Sequence, residues 1–230
     1  MRNTKQTSPF EREILRVDKQ LKKVQESMEA MKQKFYAGDI ENAYAGALDF
    51  SENAEKLTLI VRQLPAYTGN PQAQKMTDQI IANNIPVRIG FTPEGWFAVI
   101  IPALLPKKQK GSADYIRGFL YPAMGEFFRG KQPVRYTDCV LIFRHIYQRD
   151  RPERRYRDHD NIEINMVADI IALYVLFDDS PLSCFHYYCS APGVENKTEI
   201  FVVPKNEFAA WKTNVNMQEN KTLILYENHL

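Results

Sequence analysis

Residues 157–180 read RDHDNIEINMVADIIALYVLFDDS, and this stretch decides the fold. One acidic turn, Asp158-His159-Asp160-Asn161, leads into an apolar run, and a second, Asp178-Asp179-Ser180, follows it. Ile162, Ile164, Met166, Val167, Ile170 and Ile171 place apolar groups on more than one side of a helix from 161 to about 173, which predicts a buried helix. Tyr174-Val175-Leu176-Phe177 is good strand sequence. A helix that stops near Leu173 is about 20 Å long. An extended return over residues 174–179, at about 3.3 Å per residue, covers nearly the same distance. Along that path Asp179 comes back to Asp158 and Asp160, and a single three-carboxylate site is within reach.

Two carboxylates two residues apart in extended chain project to the same side. Hard cations such as Mg²⁺ take oxygen ligands of this kind, often one or two carboxylates completed by water and substrate phosphate. The same residues also have a purely structural account. Asp160 with Glu163 three positions later fits a helix cap worth about 1 kcal/mol, and Asp178-Asp179-Ser180-Pro181 fits an ordinary turn.

Working outward, the net charge of +2 is nearly balanced, but its distribution is uneven. Arg144, Arg149, Arg151, Arg154, Arg155 and Arg157 crowd the approach to Asp158, and Lys107, Lys108 and Lys110 share another loop. Clusters of this kind inside a neutral chain suit an edge that contacts phosphates; a solvated charged loop is the alternative.

Upstream, Ile14, Val17, Leu21, Val24, Met28, Met31 and Phe35 recur in alternating steps of three and four. Gly38-Asp39 interrupts the pattern, which resumes with Ile40, Ala43, Ala47, Phe50, Ala54, Leu57, Val61 and Leu64. Two such helices joined by a tight turn predict an antiparallel hairpin or a coiled-coil dimer arm, with a protein partner as its natural use. Residues 65–84 read as a connector with one short helix. Strands are expected at 87–91, 96–101, 137–147, 183–189 and 198–203. A helix capped by Ser112 is expected over 112–129. Ala191-Pro192-Gly193 reads as a turn, and the tail beyond Pro204 has no clear assignment. The chain thus divides into a helical hairpin and connector, residues 1–84, and an α+β domain, residues 85–230, with a sheet layered with helices on one face.

A hydrophobic fraction of 44% in 230 residues marks a globular chain. Its N-terminus lacks the apolar core of a signal peptide, and its apolar runs are too short to cross a bilayer. Cys139, Cys184 and Cys189 lack metal-site spacing and read as reduced thiols, which predicts a cytoplasmic protein with no membrane association.

Over residues 96–203 the chain resembles the RusA family of Holliday-junction resolvases. The similarity lies in the order of its parts: a strand ending in Pro102, a basic loop, a helix, a Pro133-Val134 approach to a long strand, the Arg-rich loop, Asp158-His159-Asp160-Asn161, an apolar helix, Asp178-Asp179, and the closing strand Thr198-Glu199-Ile200-Phe201-Val202. The resemblance implies a RusA-like mixed sheet with helices packed on it, preceded here by the two-helix hairpin. It implies that Asp158, Asp160 and Asp179 bind Mg²⁺ and catalyse hydrolysis, with Asn161 and Asp178 in support. It also implies a homodimer acting on branched or structured DNA, of a kind often encoded by phages and mobile elements. Lys107, Lys108, Lys110, Arg149, Arg151, Arg154, Arg155 and Arg157 are then the candidate nucleic-acid contacts. The pattern departs where the family carries a lysine, since Ile164 stands there and a loop lysine (Lys107, Lys108 or Lys110) is the candidate substitute. The glycine that follows the family's helix is replaced by Ala172-Leu173-Tyr174. Three functions follow from these residues: a Mg²⁺-dependent endonuclease, a RusA-like module that binds nucleic acid without cutting it, and an adaptor built on the hairpin.

Overall fold

In the computed structural model, residues 8–132, 134–149, 158–217 and 224–226 are described. The chain divides into two compact units, Met1–Gln79 and Ile80–Leu230.

The first unit is the hairpin. Helix α1 (Pro9–Tyr36) opens with a reciprocal cap in which the Ser8 hydroxyl accepts from the Glu11 N–H and the Glu11 carboxylate accepts from the Ser8 N–H. Gly38, at φ 78°, takes the left-handed turn that ends it. Helix α2 (Ile40–Gln63) starts from the Asp39 cap. Met31 lies against Gly46, and Gln20 donates to the Asn53 carbonyl at 2.9 Å. The two pairings step away from the turn together on both helices, so the hairpin is antiparallel. After a 3-10 turn at Leu64–Thr68 comes α3 (Ala73–Asn84), the short helix expected in the connector.

The second unit is an α+β fold on a mixed five-stranded sheet, in the order β1-β2-β5-β3-β4. Its strands are β1 (Arg88–Phe91), β2 (Phe97–Ile101), β3 (Cys139–Gln148), β4 (Cys184–Gly193) and β5 (Lys197–Pro204). The pairs β1–β2, β2–β5 and β3–β5 are antiparallel, whereas β3 and β4 are parallel. A parallel pair needs a crossover, and α5 (Asn165–Val175) supplies it. Side chains alternate across the sheet. Leu141, Phe143, Ile200 and Val202 join α5 and α4 (Ser112–Phe127) in the larger core. Val140, Ile142, Phe201 and Val203 meet Trp211 of α6 (Phe208–Met217) on the opposite face. Helices therefore cover both faces, not one. The tail without a sequence assignment forms α6, and its Tyr226 bridges Phe91.

Several boundaries differ from expectation for local reasons. Gly111 is the N-cap of α4, and Ser112 is instead its first residue, its hydroxyl donating back to the Gln109 carbonyl at 2.6 Å. Ala191-Pro192-Gly193 continues β4, because the sheet ladder holds it opposite Ile146, Tyr147 and Gln148. The main correction concerns the apolar run. Tyr174 and Val175 belong to α5, and Leu176 makes a single parallel bridge to Tyr136. The return strand over residues 174–179 does not form, because the apolar side chains of Val175 and Leu176 are buried in the helix-side core. No described helix is long and apolar enough to cross a membrane.

Candidate nucleic-acid and metal site

After the Arg-rich stretch of sequence the chain makes a 3-10 turn, His159–Asn161, with Asp158 extended in front of it at φ −64° and ψ 136°. The Asn161 N–H closes the turn on the Asp158 carbonyl at 3.1 Å. Ile162, only 1% exposed, pins the turn into the core and leaves Asp158, Asp160 and Asn161 on the surface. Asp160 is not a helix cap: the residue at that position of α5 is Ile164, which gives no side-chain bond. The caps-only account of Asp160 is thereby removed. Glu163 is buried instead, accepting from the Ser112 hydroxyl at 3.2 Å and tying the start of α4 to the start of α5.

The basic loop lies alongside this turn. Lys107 bridges Ile162, the Lys108 N–H donates to the Asn161 carbonyl at 2.8 Å, and the Glu163 N–H donates to the Pro106 carbonyl at 3.0 Å. The backbone thus delivers Lys107 and Lys108 to the edge that carries Asp158 and Asp160. Lys110 follows in the same exposed loop. Arg149 is exposed at the end of β3, its N–H bonded to the Gly193 carbonyl at 3.0 Å. Arg151, Arg154, Arg155 and Arg157 lie outside the described residues.

A group of rings beside the turn escaped the sequence reading. The His159 Nε2 meets the Ser190 hydroxyl at 3.0 Å. Its ring centroid is 5.8 Å from that of His145 and 6.0 Å from that of Tyr188. Tyr188 stacks on Phe143 at 5.5 Å, and its hydroxyl meets His186 Nδ1 at 3.1 Å. Burial raises the Tyr188 hydroxyl above the usual range, with Cys184 adding to it. The signal that would have found this group is the alternation His186, Tyr188, Ser190 along one face of a strand. On the opposite face, buried Glu199 accepts from Arg144 at 2.8 Å and Lys197 at 2.6 Å. The first arginine of the cluster is therefore a structural partner, away from the acidic turn.

Asp178 and Asp179 lie at the other end of the crossover. Asp178 accepts from the N–H and hydroxyl of Ser180 and from the Ser183 hydroxyl, and these bonds, Ser180 first, hold its carboxyl below the usual range. The Ser183 carbonyl accepts from the Cys139 N–H at the start of β3. Asp179 is exposed beside it. From Ser183 to Ser190, next to His159, the chain runs along β4 for about 23 Å at ~3.3 Å per residue. The eleven residues of α5 span about 16 Å in the opposite sense. Asp179 is thus placed apart from Asp158 and Asp160 within one chain, which corrects the expected three-carboxylate cluster. Among the described residues no three His, Cys, Asp or Glu side chains gather as a metal-holding group. Asp158 and Asp160 are exposed on one 3-10 turn, not in the extended chain expected of them, and could take a Mg²⁺ only with its remaining ligands from water and phosphate.

The sequence matches the family of unknown function DUF6100 over residues 5–229. No curated protein and no solved structure matches.

Proposed function

The chain belongs to DUF6100, and from its geometry we propose that it is a RusA-like, Mg²⁺-dependent endonuclease acting on branched or structured DNA. The observation that carries this reading is the pairing of residues 106–108 with residues 161–163, which sets lysines beside the Asp158–Asp160 turn. The lysine that RusA-like motifs place one helical turn on is Ile164 here, and Lys107 and Lys108 bring the missing positive charge to the same edge from another element.

Asp158 and Asp160 would hold the ion, which when bound polarises the phosphodiester and favours hydroxide formation from water. Lys107 and Lys108 neutralise neighbouring phosphates and fix the register of the backbone on the protein. His159 stands between the two carboxylates in sequence, and its bond to Ser190 anchors the turn to β4. Arg149, exposed at the end of β3, is a further candidate phosphate contact.

The test is incubation of a synthetic four-way junction with the pure full chain and Mg²⁺. Cleavage that is lost in Asp160→Asn and in metal-free buffer is the expected result. Absence of cleavage on junctions, flaps and forks alike would sink the hydrolytic reading. A second reading, a module that binds such DNA without cutting it, is favoured by Ile164 and by the remoteness of Asp179. Salt-sensitive binding unchanged in Asp160→Asn, with no product, would select it.

A further inference from the structure

We propose that Cys139 and Cys184 are a redox-active pair that a peroxide converts, reversibly, into one disulfide within the chain. The inference is independent of the metal-dependent reading above.

The two residues are far apart in sequence, and the crossover through α5 brings them together. Cys139 opens β3 and Cys184 opens β4. In the parallel ladder they are register partners. Neighbouring strands run about 4.8 Å apart, and a disulfide spans Cα atoms about 4.4–6.8 Å apart. Both side chains enter the larger core, so they leave the sheet on the same face, and the Cys139 thiol donates to the Cys184 sulfur. Groups outside the pair hold this alignment. The Cys139 N–H donates to the Ser183 carbonyl at 3.0 Å. Lys205 Nζ pairs with the Asp138 carboxylate and donates to the Leu182 carbonyl at 2.7 Å, which ties the approaches to the two strands together.

The pair is asymmetric. The bond from Cys139, and after it the His186 ring and the Leu141 N–H, hold the Cys184 thiol below its usual range against the effect of burial. Cys139 is held above that range, first by its bond to Cys184 and then by burial. His186 follows Cys184 on the same face of β4 and is exposed, so the more acidic sulfur is the one next to solvent. Cys189 packs on the opposite face, and burial pushes its thiol up to about 11. An acidic thiol poised next to a resolving thiol is the arrangement of a redox sensor.

The Cys184 thiolate attacks one peroxide oxygen and the O–O bond breaks. The departing alkoxide or hydroxide takes up the proton that Cys184 had lost, and Cys184 is left as a sulfenic acid. The Cys139 sulfur then attacks Cys184 Sγ, the S–O bond breaks, and the leaving hydroxide takes the Cys139 proton to become water. The two sulfurs lose the two electrons that the peroxide oxygens gain. The new bond fastens together the two ends of the crossover, which contains α5 and both acidic turns.

The test treats the reduced full chain with equimolar hydrogen peroxide, alkylates it in denaturant and weighs it. Of the three cysteines, all take a label before oxidation and one takes it afterwards, and three labels return after dithiothreitol. Chymotrypsin, which can cut between Cys184 and Cys189 at Phe185, Tyr187 and Tyr188, maps the bond to Cys139 and Cys184. In Cys139→Ala the expected product is a sulfenic acid at Cys184, trapped by dimedone. In Cys189→Ala the disulfide still forms and the labels fall from two to none. Three labels after peroxide, labels lost without a Cys139–Cys184 bond, a bond that includes Cys189, or a bond only between chains overturns the proposal. The wild-type map decides the pairing even if a variant fails to fold.

Discussion

Tyr136 shows how one side chain joins the sheet to its helices. Its hydroxyl accepts from the Phe97 N–H at 3.1 Å and donates to the Gly95 carbonyl at 3.3 Å, while its backbone pairs with Val175 and Phe177. Replacing it with phenylalanine leaves two inward backbone groups unpaired, and Tyr136→Phe is expected to cost about 1–2 kcal/mol in urea unfolding. Burial, the largest cause, pushes the phenol up from 10.0 to about 12. The folded state thus holds the proton more tightly than the unfolded chain does. The stability this contributes is complete below about pH 10 and is lost as the pH rises toward about 12. Unfolding midpoints measured between about pH 9 and about pH 11 should fall in the wild type and fall less in Tyr136→Phe. None of this was legible in sequence, where Tyr136 is one aromatic residue before a strand.

At the level of elements, the hairpin was readable because its pattern is local. Alternating steps of three and four along two runs, broken at Gly38-Asp39, are satisfied by one helix packing on its neighbour. Gly46 marks how closely they pack, since a side chain there would meet the Met31 Cα at 3.1 Å. Gly46→Val, which adds a branched group at this contact, is expected to destabilise the first unit by about 1–3 kcal/mol, read as an earlier loss of helical circular dichroism on heating. The crossover helix was readable in kind but not in extent. Val175 and Leu176 suit a strand by composition, yet both are buried in the helix-side core, where Val175 ends α5 and no return strand forms toward Asp158. A helix boundary set by tertiary packing cannot be taken from propensity alone.

For the whole molecule, the relevant quantity is the charge that the fold gathers on one edge. If Lys107 and Lys108 contact phosphates, binding to a four-way junction falls steeply with salt. Lys107→Ala and Lys108→Ala are each expected to reduce the slope of log K against log salt by about one. The measurement is fluorescence anisotropy in Ca²⁺ buffer at several salt concentrations; equal slopes in wild type and variants would remove these lysines from the interface.

By itself the sequence determined what depends on neighbours along the chain: the two hairpin helices, the α+β class, the strand runs, and the acidic turns on either side of an apolar helix. Tertiary structure alone decided which of those pieces meet. It laid Lys107 and Lys108 beside Asp158 and Asp160 through bonds between residues more than fifty positions apart, and it assembled the His145–His159–Tyr188 group from three elements. It also parted Asp179 from its expected companions, because the helix runs on through the buried Val175 instead of turning back as a strand, and the parallel β3–β4 pair fixes the two acidic turns at opposite ends of the crossover.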